Sequence, residues 1–160
     1  MKRCFSFFLS VILMFSVFGY DAIAADPEEF KPYVVDFVLE TEAEESENDT
    51  RASGLINMYS LGLSKTGNTL NISGSTRCSV DVVKCGFKNL VIQRRKTSAD
   101  SWKEYYDYGN AYTESTVASL STTLVVESGY QYRISCKHYA KKSLFVTQSI
   151  SNTSNIVTVS

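Results

Sequence analysis

Hydrophobic and polar residues alternate with a period of two along much of the chain after Gly54, which is the spacing of a β-strand with one buried face. Residues 129–140 show this most clearly, because apolar and aromatic residues fall on one face and polar or basic residues on the other. The inward set is Tyr130, Tyr132, Ile134 and Cys136, and the outward set is Gln131, Arg133, Ser135 and Lys137. Similar shorter segments, and the lack of a 3.6-residue apolar period, predict about seven strands and an all-β fold, a β-sandwich.

The first 24 residues have the pattern of a cleavable secretory signal peptide. Two basic residues follow Met1, an uncharged apolar stretch covers 5–20, and Ala22 and Ala24 supply the small-x-small pattern of a cleavage site. An uncleaved membrane anchor is the alternative, but an anchor needs ~20 apolar residues. We therefore expect a secreted, extracellular protein whose mature chain comprises an arm, 25–52, and one domain, 53–160.

Charge is distributed unevenly along this mature chain. Residues 26–50 contain ten carboxylates and one basic residue, Lys31, whereas residues 51–160 contain thirteen Lys and Arg against six Asp and Glu. A run such as TEAEESENDT is too polar to build a packed core, so we expect residues 25–52 to form an acidic, flexible and largely disordered arm. Residues 30–39 carry several apolar side chains, and a short strand or a docked segment is the alternative for that part.

Three cysteines follow the predicted cleavage site, namely Cys78, Cys85 and Cys136. Export would place them in an oxidising compartment, where disulfides persist. Because their number is odd, at least one thiol stays free or pairs with another chain. Cys78 and Cys85 flank a predicted connection between strands, so we expect this pair to form the disulfide if one forms within the chain. Cys136 is expected to be a buried, structural residue.

Motifs that carry chemistry are few. His138, the only histidine, lies two residues after Cys136 on the same strand face, and such a pair can act as nucleophile and base in a small cysteine hydrolase. A face within an apolar alternation more often belongs to the core, and no oxyanion motif or third orienting group is evident. Three cysteines at these spacings do not make a zinc site, and phosphate-binding and calcium loops are lacking. We expect neither an enzyme nor a bound metal or cofactor.

Aromatic and basic residues supply the candidate binding surface. Tyrosine and tryptophan present broad apolar rings with a polar atom, which suits recognition surfaces and sugar stacking, and a basic cluster attracts polyanions. The candidate binding residues are Trp102, Tyr105, Tyr106, Tyr108, Arg94, Arg95 and Lys96. Each set has an alternative: half of the aromatic residues alternate into the core, and the basic residues face the acidic arm of the same chain.

The segment from Val126 to Ile134 resembles the corner between strands E and F of a fibronectin type III domain. In that family an apolar residue, a glycine three positions before a tyrosine, and alternating apolar residues recur, and Val126, Gly129, Tyr132 and Ile134 occupy those places. The resemblance implies an immunoglobulin-like or fibronectin type III-like sandwich, in which Tyr132 bonds back to the main chain as the tyrosine-corner residue. The strand before NLVIQRR lacks the expected tryptophan, which is a departure from the family.

The domain also resembles a family of small secreted proteins of Gram-positive bacteria to which no activity is assigned. The similarity lies in CGFKNLVIQRR followed by Trp102, in GYQYRISCKHYAK, and in the tail SISNTSNIVTVS. It implies an exported β-domain and no site residues. The leading hypothesis is a non-enzymatic binding module at or outside the cell surface, with an anionic cell-wall polymer or a glycan as its ligand. The alternative is an antimicrobial or membrane-active β-protein.

Overall fold

The computed structural model describes residues 30–41, 50–51 and 54–160. Within these residues the chain forms ten β-strands and no helix, hence no helix able to span a membrane. The strands are β1 (Tyr33–Glu40), β2 (Thr50–Arg51), β3 (Ile56–Thr66), β4 (Thr69–Cys78), β5 (Lys84–Arg95), β6 (Lys103–Thr113), β7 (Val117–Val125), β8 (Tyr130–Lys141), β9 (Thr147–Thr153) and β10 (Val157–Val159). The signal peptide prediction concerns residues outside the described ranges.

The strands make two antiparallel sheets. Sheet A has the order β1-β7-β4-β3-β2, and sheet B has the order β10-β8-β5-β6, with β9 also paired to β8. Strands β9 and β10 lie one after the other along the same edge of β8, opposite 135–141 and 130–132 respectively. The predicted all-β sandwich is therefore the fold of this chain.

The core lies between the two sheets and is formed by alternate residues of each strand. Those from β4 and β7 include Leu70, Ile72, Leu120 and Leu124, and those from sheet B include Phe87, Leu90, Ile92, Ile134 and Cys136. Each is almost fully removed from solvent. Because side chains on a strand point alternately to opposite sides, the residues between them form the outer faces of the sandwich.

Strand β1 corrects the predicted boundary between arm and domain. Residues 33–40 were expected within a largely disordered arm, yet they pair with β7 over the whole strand, from Tyr33 with Val125 to Glu40 with Ser119. The alternative of a short strand at 30–39 is the one observed. Val34 and Leu39 pack against the core while Asp36 and Glu40 stay exposed, so an edge strand accommodates the acidic residues at little cost. Most of TEAEESENDT lies outside the described residues.

The turn between β7 and β8 carries the chain from sheet A to sheet B. Gly129 has a φ of 85°, in the region that favours glycine, and its N–H donates to the carbonyl of Val159 at 2.7 Å. Tyr132 is fully buried, and its hydroxyl donates to the carbonyl of Glu127 at 2.6 Å. This bond ties the start of β8 to the turn that precedes it.

Candidate functional site

The candidate site is the outer face of sheet B, and a bulge in β5 determines which residues reach it. Asn89 has a φ of 49°, and the pairing of β5 with both neighbours is interrupted between Phe87 and Val91. The extra residue shifts the alternation by one position. Phe87 and Leu90 therefore both point into the core, and Arg95 comes to lie on the outer face.

Near the end of β5, two arginine side chains of this face pack on the ring of Trp102. The guanidinium carbons of Arg95 and Arg133 each lie 4.4 Å from the centroid of its ring. The Nε atoms of the two arginines are held by glutamines across the β5–β8 pair: Arg133 donates to Gln93 and Arg95 to Gln131, both at 2.8 Å. The arrangement orients two cations over one indole before any ligand arrives.

Among the residues that the structure describes, no carboxylate lies within 4.0 Å of these two arginines. Among the described residues the ion pairs within 4.0 Å join Arg94 to Glu127 and Lys142 to Asp81. Partial burial and the positive charge of Arg95 together lower the pKa of the Arg133 guanidinium, although it stays charged at neutral pH. Two like charges held close, with no carboxylate partner among the described residues, create a local potential that favours binding of an anion.

The cationic and aromatic character continues along the rest of the face. Lys88 places its ammonium 4.4 Å from the centroid of the Tyr139 ring, and Lys84 places its ammonium 5.8 Å from that of Tyr112. The rings of Tyr139 and Tyr112 pack in a tilted arrangement with their centroids 5.3 Å apart. Gly86 pairs with both Tyr112 and Tyr139. A side chain at Gly86, which has a φ of 150°, would meet the carbonyl of Ala111 at 2.1 Å, so the close approach of β5 and β6 requires glycine there.

This surface, which we call the cationic face, follows β5 and β8 from one end to the other. Its cations are Lys84, Lys88, Arg95, Arg133, Lys137 and Lys141, and the carboxylates near them on β6 are Glu104 and Asp107. At the rise of a β-strand, the distance from Lys84 to Arg95 is roughly 35 Å. A surface of this length and sign matches an extended polyanion better than a single small anion.

The predicted basic cluster is divided between two environments. Arg94 faces the turn before β8: its guanidinium lies 4.3 Å from the Tyr105 ring and 4.4 Å from the Tyr130 ring, and its Nη1 donates to Glu127 at 2.7 Å. Lys96 is exposed beside Arg95. All three basic residues of the cluster line an open cleft of about 460 Å³, together with Asp100, Ser101, Lys103 and Tyr130. Arg94 is thus already paired, whereas Lys96 adjoins the cationic face.

The predicted tyrosines contribute to packing more than to the surface. Tyr105 is half-buried and its ring lies 5.5 Å from that of Tyr132. Tyr108 packs on Phe37 of β1 at 5.6 Å and on Tyr106 at 4.8 Å. All three pack against the core, in keeping with the alternative that half of the aromatic residues turn inward. Trp102 is the predicted aromatic residue that joins the cationic face.

Sequence reasoning did not select Arg133, Lys84, Lys88 and Tyr139 as site residues. The alternation in 129–140 already placed Arg133 opposite the core, and that signal was available. The positions of Lys88 and Tyr139 depend on the register of β5 against β8, which pairs Lys88 with Lys137 and Gly86 with Tyr139. No local pattern in the sequence encodes that register.

Cys136 and His138 form a buried polar network inside the sandwich. The Nε2 of His138 lies 3.8 Å from the Cys136 sulfur and 3.2 Å from the Asn152 amide nitrogen, and its Nδ1 lies 2.8 Å from the Thr76 hydroxyl. Thr76 in turn donates to the carbonyl of Gly86 at 3.2 Å. A neutral imidazole with its proton on Nδ1 satisfies every one of these contacts.

The electrostatics of this network favour a structural role. Burial raises the pKa of the Cys136 thiol to about 12 and lowers that of His138 to about 4, so both groups are neutral at pH 7. A cysteine nucleophile needs a thiolate, which a cationic or solvated environment stabilises. Although Cys136, His138 and Asn152 together have the composition of a hydrolase triad, their setting supports packing and hydrogen bonding rather than nucleophilic attack.

Cys78 and Cys85 are buried thiols in hydrogen-bond contact with each other, at the end of β4 and the start of β5. This contact and burial raise the pKa of Cys78, while the same contact lowers the pKa of Cys85. Thr113 and the carbonyl of Thr76 each lie 3.7 Å from the Cys85 sulfur. The pair connects sheet A to sheet B at one end of the sandwich.

No protein-family model matches this chain, and no curated protein or solved structure resembles it significantly.

Proposed function

We propose that this protein is an extracellular, non-enzymatic binding module whose cationic face recognises an anionic polymer such as those of a cell wall. The observation that carries the proposal is the pair Arg95 and Arg133, both 4.4 Å from Trp102 and neither within 4.0 Å of a carboxylate among the described residues. Guanidinium groups match phosphate and sulfate oxygens in geometry, and a preoriented pair loses less side-chain entropy on binding.

The alignment of the other cations supports a linear ligand. Lys88 and Lys137 are paired across β5 and β8, and Lys84 and Lys141 are paired further along the same two strands. The spacing provides successive contacts along one strand direction, and each contact that releases a condensed counterion from the polymer adds to affinity. The half-buried rings of Tyr112 and Tyr139 beside these lysines suit the sugar units that anionic wall polymers often contain.

Two further parts of the proposal concern the location of the protein outside the cell and the type of β-sandwich that it forms. The apolar stretch at 5–20 and the alanines after it support export. The fibronectin type III-like assignment is supported by the change of sheet between β7 and β8 and by the bond from Tyr132 to Glu127 across that corner.

We also propose that Cys78 and Cys85 form a disulfide in the oxidising compartment outside the cell. Mass mapping of the native protein would detect this disulfide as a loss of two hydrogens.

The test is binding to immobilised heparin, a soluble polyanion, across a range of salt concentrations. Arg95→Gln with Arg133→Gln should weaken the affinity about 30-fold at physiological salt, since each lost contact is worth about fivefold by counterion release. The slope of log affinity against log salt should fall by about 2 for the same reason. A neutral wall glycan, run in parallel, separates charge recognition from sugar recognition.

The matched control is Lys31→Gln with Lys65→Gln, which changes the net charge equally but alters exposed lysines before β1 and at the end of β3. We expect less than about a twofold effect, because these positions lie with sheet A, away from the cationic face. Equal weakening by both double variants would show that net charge alone attracts the polymer. Failure of the wild type to bind heparin at low salt would refute the proposal.

A further inference from the structure

Two loops at the end of the sandwich away from Trp102 expose apolar side chains. The connection from β4 to β5, residues 79–83, carries Val80, and the connection from β8 to β9, residues 142–146, carries Leu144 and Phe145. These three side chains are 97%, 80% and 95% exposed. Val83 and Val146 beside them are also exposed. Such exposure of large apolar groups at a loop tip is unusual for surface residues without a partner.

The two loops are joined to each other at their bases, which places their apolar residues at the same end of the sandwich. The N–H of Val83 donates to the carbonyl of Lys141 at 2.8 Å, and the ammonium of Lys142 pairs with Asp81. Within the second loop the N–H of Lys142 donates to the carbonyl of Val146 at 2.9 Å. These bonds hold Val80, Leu144 and Phe145 at one end of the molecule, and we call them the apolar tip.

Cations surround the base of the apolar tip. Lys84 and Lys141 are directly paired across β5 and β8, and among the described residues neither has a carboxylate within 4.0 Å. The nearby acidic residues are Asp81 and Glu114. Asp81 is paired with Lys142, and Glu114 lies in the turn between β6 and β7, where the carbonyl of Thr116 accepts a hydrogen bond from the N–H of Cys78. This end of the sandwich thus combines the projecting apolar tip with the ammonium groups of Lys84 and Lys141 at its base, which have no carboxylate partner among the described residues.

We propose that the apolar tip inserts into the interfacial region of an anionic lipid bilayer, with Lys84 and Lys141 contacting phosphate headgroups. Nearly complete exposure means that the tip projects from the domain and does not line a groove, so a fluid surface fits it better than a rigid partner. Projecting apolar residues gain by burial below the headgroups, and lysines close to the surface add attraction to anionic lipid. Lys84 and Lys141 also belong to the cationic face, but the apolar tip lies at the opposite end of sheet B from Arg95 and Arg133, and its insertion does not depend on polymer binding.

The experiment measures co-sedimentation with vesicles of phosphatidylcholine alone and with about one third phosphatidylglycerol. The full chain is expressed, and wild type and variants are compared in the same processed form. Leu144→Ser with Phe145→Ser should lower partitioning onto the anionic vesicles about tenfold or more, since it removes the inserted apolar area. Lys84→Gln and Lys141→Gln should each lower it about fivefold, and only on anionic vesicles.

The control is Tyr33→Ser with Val35→Ser, which removes two exposed apolar side chains from the edge strand β1 and should leave partitioning unchanged. A separate variant, Phe145→Trp, should give a tryptophan emission that shifts to shorter wavelength when anionic vesicles are added, beyond any change from Trp102. Equal partitioning of the wild type and the Leu144/Phe145 variant would overturn the proposal. An emission that does not shift when anionic vesicles are added would also overturn it. The same holds if the Leu144/Phe145 variant changes only the self-association of the protein in sedimentation.

The double variant Arg95→Gln with Arg133→Gln should leave the emission shift of the Phe145→Trp protein intact, which distinguishes insertion of the apolar tip from polymer binding.

Discussion

The two faces of sheet B are built from the same strands but from different kinds of residue. Along β8 the inward positions hold Tyr132, Ile134, Cys136 and His138, all buried, whereas the outward positions between them hold Arg133, Ser135, Lys137 and Tyr139. Inward polar groups are satisfied within the protein, as the His138 network shows, while the outward cations lack carboxylate partners within the described residues. From this difference we expect that changes to inward residues alter the stability of the domain, whereas changes to outward residues alter the polymer binding that we propose.

The largest expected effect is on the inward face and depends on pH. The pKa of His138 falls from 6.5 to about 4 on burial, so between these values the unfolded chain binds a proton that the folded protein does not. Stability is therefore fully present above about pH 6.5 and is lost as the pH falls toward 4, by roughly 3 kcal/mol in total. Urea unfolding at a series of pH values measures this loss.

Two readouts isolate His138 from the carboxylates that also titrate in this range. His138 is the only histidine, so its ring resonances in NMR should titrate with a single midpoint near pH 4. His138→Gln should be less stable than the wild type at pH 7 and should lose the part of the pH slope that lies between 4 and 6.5. A ring that titrates at an ordinary pKa would show that the inward network is solvated.

The next effect concerns the hydroxyl of Tyr132. Tyr132→Phe leaves the carbonyl of Glu127 without its donor and should cost about 2 kcal/mol of unfolding free energy, with no change in heparin affinity. Tyr139→Phe is the matched control, because Tyr139 lies on the outward face of the same strand. An unchanged denaturation midpoint for Tyr132→Phe would remove the support for the corner assignment.

The smallest effect on stability is expected on the outward face. Trp102→Leu removes the ring over which Arg95 and Arg133 lie, and the lost contacts are worth about 1 kcal/mol or less at a half-exposed site. Heparin affinity should fall several-fold, because the two guanidinium groups lose their fixed orientation. If this change unfolds the domain, or if Tyr132→Phe weakens binding instead, the separation between the two faces does not hold.

Strand alternation was readable from the sequence where pairing is regular. It placed Tyr132, Ile134 and Cys136 inward, and the structure buries all three. In β5 the same rule fails, because uninterrupted alternation from Cys85 would put Val91 and Arg95 on the inward face. The bulge at Asn89 reverses the order, and nothing in CGFKNLVIQRR fixes its position without knowledge of the neighbouring strands.

The charge of the acidic N-terminal segment predicts a disordered arm, and β1 shows why charge alone does not determine whether such a segment forms a strand. An edge strand has one solvent-facing side and tolerates Asp36 and Glu40 there, while Val34 and Leu39 supply the few apolar contacts that docking needs. The candidate site was partly predictable for a related reason. Arg95, Lys96 and Trp102 lie close together in the chain, whereas Arg133, Lys88 and Tyr139 join them only through long-range pairing.

The position of β1 has a consequence for how the chain is made. A ribosome delivers the N-terminus first, yet Tyr33 pairs with Val125, roughly ninety residues later, and among the described strands β7 is the one partner of β1. Strand β1 must therefore wait for this partner until β7 has been delivered. Sheet A therefore gains β1 only after β3, β4 and β7 have been delivered, although β8, β9 and β10 of sheet B follow later still.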